Sequence, residues 1–217
     1  MFMAHEGGKS QSARLVAFLA FTVMFLPVAQ ASILSVGGTA PPSPLFPSGP
    51  TMASTSGTIT TPTFTDTYNT WVQADPNNTF CANCLDFIYT FTNLGPAVNQ
   101  RFSMSSFAGF MVDLGTNPFG VHDPITVSRS LTTGGPVLSF NFDQFGDGIN
   151  PGETTVDLIV ETNALKYTTG YLSAQDGTAG SGVGFQPMSS VPEPTSLMLM
   201  GSGLLALGSF LRKSRAR

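Results

Sequence analysis

From Thr58 onward, apolar and polar positions alternate with a period of two. That is the signature of strands with one covered and one wet face. Leu85, Phe87, Tyr89 and Phe91 alternate with Asp86, Ile88, Thr90 and Thr92. Ala108, Phe110, Val112 and Leu114 line another apolar face, and Ile125, Val127 and Leu131 share a face with Arg129. Leu138, Phe140 and Phe142 alternate with Ser139, Asn141 and Asp143, and Val156, Leu158 and Val160 with Asp157 and Glu161. Thr61, Thr63, Thr65 and Thr67 read as the polar side of a strand whose Phe64 and Tyr68 point inward. Short late runs around Tyr167, Tyr171, Leu172 and Val183 to Phe185 close the sheets. Asn93-Leu94-Gly95-Pro96, Asn117-Pro118, Gly134-Gly135-Pro136, Gly146-Asp147-Gly148, Asn150-Pro151-Gly152 and Asp176-Gly177 mark turns between the runs. The pattern predicts an all-β fold, an antiparallel β-sandwich of jelly-roll or Ig-like type. No internal repeat points to a β-helix or propeller.

Two unbroken apolar runs lie at the ends. Residues 15–28 follow Lys9 and Arg14 and precede Ala29-Gln30-Ala31. A basic start, an apolar stretch and small residues at Ala29 and Ala31 predict a signal helix cleaved after Ala31 by signal peptidase. The second run, residues 197–211, is followed by Arg212, Lys213, Arg215 and Arg217. As a helix it measures about 22 Å at ~1.5 Å per residue, against a hydrocarbon core of ~30 Å. Flanking Arg and Lys can snorkel, so the run predicts a short C-terminal transmembrane helix with its basic end cytoplasmic. Pro41, Pro42, Pro44, Pro47 and Pro50 crowd the stretch after the signal, which reads as an extended linker. The expected divisions are a signal peptide at 1–31, a linker at 32–57, a β domain at 58–188 and a tail at 189–217.

Charge sharpens the picture. Charged residues make up 10% of the 217 positions, and the net charge is −4. Six of the nine basic residues sit in the two end segments, leaving Arg101, Arg129 and Lys166 between Ser32 and Ser190. Eleven acids share that stretch, so the body carries −8. With no basic patch, nucleic-acid binding is excluded. Sparse charge and many β-branched and turn-forming residues suit an exported β protein.

The tail has three parts in fixed order: Pro192-Glu193-Pro194, the short apolar run and the basic cluster. It resembles the PEP-CTERM sorting signal of bacterial exported proteins. The resemblance implies processing by an exosortase-type enzyme at Pro192, Glu193 and Pro194, and at least transient anchoring in the membrane. It also implies a final place at the cell surface or outside the cell. Two prolines fix φ and keep the motif extended, the form a protease-like cleft threads.

The body offers little reactive chemistry. Cys81-Ala82-Asn83-Cys84 runs straight into a predicted strand, so it reads as a structural disulfide rather than a redox motif. Asp143, Asp147 and Glu153 bracket a glycine-rich loop and are calcium candidates, although their spacing is not that of an EF-hand. His122 is the body's one histidine, and no G-x-S-x-G or H-E-x-x-H occurs. The expectation is therefore a non-enzymatic envelope or extracellular-matrix protein without a cofactor, associated with exopolysaccharide. Two alternatives are a carbohydrate-binding or carbohydrate-active module, using Trp71, Tyr89, Tyr167 and Tyr171, and a calcium-dependent adhesin.

Overall fold

The computed structural model describes residues 33–117, 122–142 and 148–188. Twelve strands follow in chain order: β1 (Thr39–Ala40), β2 (Ser43–Pro44), β3 (Thr51–Thr60), β4 (Phe64–Asp75), β5 (Cys84–Pro96) and β6 (Arg101–Met104). After them come β7 (Val112–Thr116), β8 (Thr126–Arg129), β9 (Leu138–Asn141), β10 (Leu158–Thr162), β11 (Tyr167–Asp176) and β12 (Thr178–Pro187). They form two six-stranded sheets, ordered β1-β8-β9-β6-β11-β12 and β2-β7-β10-β5-β4-β3. Every strand pair is antiparallel except β2 with β7. Among the described residues no helix is long and apolar enough to cross a membrane. The signal and tail segments lie outside those residues.

The alternating runs place their apolar members in one core shared by both sheets. Leu85, Phe87, Tyr89 and Phe91 of β5, Val112 and Leu114 of β7, and Leu158 and Val160 of β10 enter it from the second sheet. Phe102 and Met104 of β6, Val127 of β8, Leu138 and Phe140 of β9, and Leu172 and Ala174 of β11 enter it from the first. Phe91 and Phe102 stack across the gap with ring centroids 3.9 Å apart, and Phe142 meets Phe102 edge-on. Such aromatic pairs add about 0.5–1.5 kcal/mol to the burial of the rings themselves.

The hairpin of β11 and β12 is longer than its weak apolar pattern predicts, with ten paired positions around the turn at Gly177. Its inward side is glycine where an apolar residue would normally announce a covered face. A Cβ added at Gly182 would lie 2.6 Å from the Tyr68 ring, and one at Gly180 would lie 2.4 Å from Ile59. The missing side chains let β12 close over β3 and β4. Tyr68 then donates its hydroxyl to the Val183 carbonyl and accepts from the Val183 amide, both at 2.9 Å.

Elsewhere the pattern misleads. Ala108 and Phe110 belong to a turn before β7 rather than to a strand. On β8, Val127 and Arg129 are buried while Ile125 and Leu131 stand in solvent, Leu131 at 83% exposure. Arg129 goes inward because carbonyls await it: its guanidinium donates to Leu34, Phe107, Phe110, Gly134 and Gly135. Five charge-assisted bonds tie three loops and offset the desolvation of a cation that has no carboxylate partner among the described residues.

The stretch 32–57 is not a plain linker over its described part. It contributes β1 and β2 at the two sheet edges and most of β3. Residues 43–50 run across the outer face of the second sheet. Gly115 makes that approach possible: a Cβ there would stand 2.0 Å from the Ser43 carbonyl oxygen and 2.7 Å from Leu45. The outer face is therefore not wet along its length, as the alternation predicts. Asp86, Ile88, Asp113, Ile159 and Glu161 all point away from the core, and each is at most 5% exposed.

Gly115→Ala should lift this strap, because the clash is with backbone that cannot rotate aside. Overpacking of this kind costs about 1–3 kcal/mol. The expected readout is new protease cleavage within residues 41–50 at a temperature where the parent resists. An unchanged digestion pattern would mean that the strap does not depend on this contact.

Candidate functional site

Beneath the strap, the outer face of the second sheet gathers carboxylates. Strand register sets Gln73 of β4 beside Asp86 of β5, Asp86 beside Glu161 of β10, and Glu161 beside Asp113 of β7. Asp75, two residues beyond Gln73, closes the row at the end of β4. Asp75, Asp86 and Glu161 each bring an oxygen within 4.8 Å of the others, and all three are buried.

The loop from Asp75 to Cys84 folds over this row, and a disulfide between Cys81 and Cys84 ties its far end. Asn83 turns with φ 62°, and its amide bonds the Asp75 carbonyl. Asn78 donates to Asp86 Oδ1 at 2.8 Å and to the Thr162 carbonyl. Thr79 donates its amide to Glu161 Oε1 and its hydroxyl to Glu161 Oε2. Asp75 Oδ1 accepts from the Asn77 amide and from the hydroxyl of Ser48, a strap residue. Ser43, also on the strap, donates to Asp113. Burial, reinforced by the charges of Glu161 and Asp75, pushes the Asp86 carboxyl up to about 8.

A second buried acid serves the core. Asp66 of β4 is fully enclosed and accepts the Asn99 side-chain amide on one oxygen, while its other oxygen has no hydrogen-bond partner. Desolvation raises it to about 7.

The sequence-predicted residues scatter. Glu153 takes His122 at 3.0 Å and both nitrogens of Asn150, and the Asn150 backbone amide leads in holding its carboxyl below the usual range. It braces its own turn. Asp143 and Asp147, its expected calcium partners, lie outside the described residues, as do Ala29, Ala31, Pro192, Glu193 and Pro194. The four aromatics do not share a face. Tyr89 is buried with its hydroxyl on the Phe185 carbonyl, Tyr167 packs edge-on against Phe185, and Tyr171 is exposed on the first sheet. Trp71 lines a groove with Thr51, Ser54, Thr55, Ser56, Asn69 and Thr70 on β3 and β4. The acidic row escaped sequence reading because its members are spread over some 86 positions of chain, from Asp75 to Glu161. The one local hint was that Asp86, Asp113 and Glu161 each occupy the polar phase of a strand rich in apolar residues.

Residues 190–213 match the family model described as the PEP-CTERM protein-sorting motif. That motif implies export, processing by an exosortase-type enzyme, and anchoring through the C-terminal tail before surface display. Neither a curated protein nor a solved structure matches the chain.

The raised Asp66 carboxyl sets a sign for stability against pH. The unfolded chain releases this proton near the ordinary 3.8, the folded one near 7. The folded state therefore binds more protons between those values, and stability falls as pH rises through them. Asp66→Asn should gain on the parent by on the order of 2–3 kcal/mol between pH 5 and pH 8. Urea midpoints at the two pH values give the comparison, and an advantage that does not grow with pH would contradict the assignment.

Proposed function

We propose that the chain is an exported bacterial envelope protein whose β body is a non-enzymatic structural module of the extracellular matrix. The observation that carries this reading is the sorting motif at residues 190–213, which begins just beyond the last strand at Pro187. In this reading residues 1–31 are a signal peptide and residues 197–211 a short transmembrane helix. The Cys81–Cys84 disulfide fits an oxidising compartment. The body's histidine is tied to Glu153 in a loop brace, which supports a structural rather than a catalytic role.

Strand pairing favours a jelly-roll form of the sandwich. From β5 to β7 the chain passes from sheet to sheet at every strand, β5 pairs with β10, and β6 lies between β9 and β11. The departure is β8, which stays beside β9 instead of joining β7.

Mass spectrometry of the mature protein from native cells and medium tests the sorting reading. The expected termini are Ser32 at the front and a new end near Pro192 to Pro194. Mature protein that always extends through Arg217 would sink the cleavage step.

The Trp71 groove supports contact with exopolysaccharide. An indole offers the flat apolar surface on which the C–H face of a sugar ring rests, and the surrounding Ser, Thr and Asn side chains match its hydroxyls. Trp71→Ala should weaken binding to the host's exopolysaccharide about tenfold, as loss of an aromatic anchor does. Equal co-sedimentation of variant and parent would remove this reading.

A further inference from the structure

The carboxylate row under the strap contains more negative oxygen than the surrounding donors satisfy. Asp86 is 1% exposed, its Oδ1 takes the Asn78 amide, and its Oδ2 has no hydrogen-bond partner. Asp75, Asp86 and Glu161 each bring one carboxylate oxygen within 4.8 Å of the others, acceptors facing acceptors. The amide oxygen of Gln73, the register partner of Asp86, is also buried without a partner. Among the described residues no Arg, Lys or His pairs with Asp75, Asp86 or Glu161; the described ion pair is His122 with Glu153. Like charges held this close in a buried place repel strongly unless something positive lies between them.

We propose that Asp75, Asp86 and Glu161 are the protein ligands of a calcium ion. The donors are all oxygens, which suits a hard cation. Zinc is disfavoured because the nearby cysteines are joined to each other and no histidine is among the three. Calcium bonds of 2.3–2.6 Å put ligand oxygens on opposite sides of the ion about 4.6–5.2 Å apart. The three oxygens lie within 4.8 Å of one another, so they fit around one such ion. Magnesium demands near-ideal octahedral geometry, gives up its water reluctantly and is usually held by one or two carboxylates, whereas three carboxylates meet here. Water and the Gln73 amide oxygen complete the coordination.

The ion lies where five parts of the chain meet. Asp75 ends β4, Asp86 is the third residue of β5 and Glu161 belongs to β10. Asn77, Asn78 and Thr79 of the disulfide loop and Ser48 of the strap hold the same three carboxylates by hydrogen bonds. Calcium thus staples the loop and the strap to the sheet, and its removal loosens both together. A site of three carboxylates and water belongs to the affinity class of extracellular modules, about 10⁻⁴–10⁻³ M.

Thermal melts of the full-length chain in detergent test this, in about 5 mM calcium chloride, in the same concentration of magnesium chloride, and in EDTA. Calcium should raise Tm by about 3–5 °C over EDTA, and magnesium by less than half as much. Asp86→Asn and Glu161→Gln should each abolish the calcium shift. Both should still melt cooperatively in EDTA, because each removes one of the repelling charges. Glu153→Gln, away from the row, should keep the full shift. An identical parent Tm in calcium and EDTA overturns the proposal and leaves a proton shared by Asp75 and Asp86 as what holds the row. So does a shift that survives both substitutions, one lost with Glu153→Gln, or one that magnesium reproduces in full.

Discussion

Residues 43–50 lie flat on the outside of the second sheet, and the character of that face follows from this contact. The strap is possible because Gly115 presents bare backbone to Ser43 and Leu45. Once in place, it reaches two of the carboxylates on that face, Ser43 bonding Asp113 and Ser48 bonding Asp75. Ile88 and Ile159 are buried on the same face, against their strand phase. Asp86, Asp113 and Glu161 lose their water and must find partners in the strap and the disulfide loop. Burying carboxylates is unfavourable unless each oxygen is answered, so loop, strap and sheet become one mutually dependent unit.

The inner core follows simpler rules. Large aromatic side chains from both sheets meet across it, as Phe91 and Phe102 do in their stack. Where no large side chain is available, the sheets approach instead. The glycines of β12 bring its backbone up to Tyr68 and Ile59, and the Tyr68 hydroxyl bonds to that backbone directly. Arg129 is a third solution, a cation turned inward to collect carbonyls from loops that lack strand partners. Close packing, close approach and a polar hub each answer the requirement that buried backbone groups be paired.

These devices suit a protein sent outside the cell. A disulfide and a shared core are features that hold without cellular upkeep. The tail determines how the chain is delivered, and the body meets whatever it meets through its outer faces. On the second sheet those faces differ. The β3–β4 side carries the hydroxyl-lined Trp71 groove, while the β10 side is roofed by strap and loop.

The sequence by itself determined the all-β class, the phase of β5, β9 and β10, and the PEP-CTERM tail. Each is written in neighbouring residues: a period of two shows which side chains face inward, and the sorting motif is contiguous. Tertiary structure decided the rest. Glycines on β12 carry no hydrophobic signal, so that covered face was invisible until Tyr68 and Ile59 were seen against it. Prolines in 41–50 look the same in a free linker as in a strap, because both are extended; only Gly115 across the sheet tells them apart. Ile125 and Leu131 imply a buried face that belongs instead to Val127 and Arg129, since burial depends on what covers a strand and not on its residues alone. Asp75, Asp86 and Glu161 are ordinary surface acids by phase. They become a cluster because strand register brings them together and the strap excludes water, and neither fact is local in the chain.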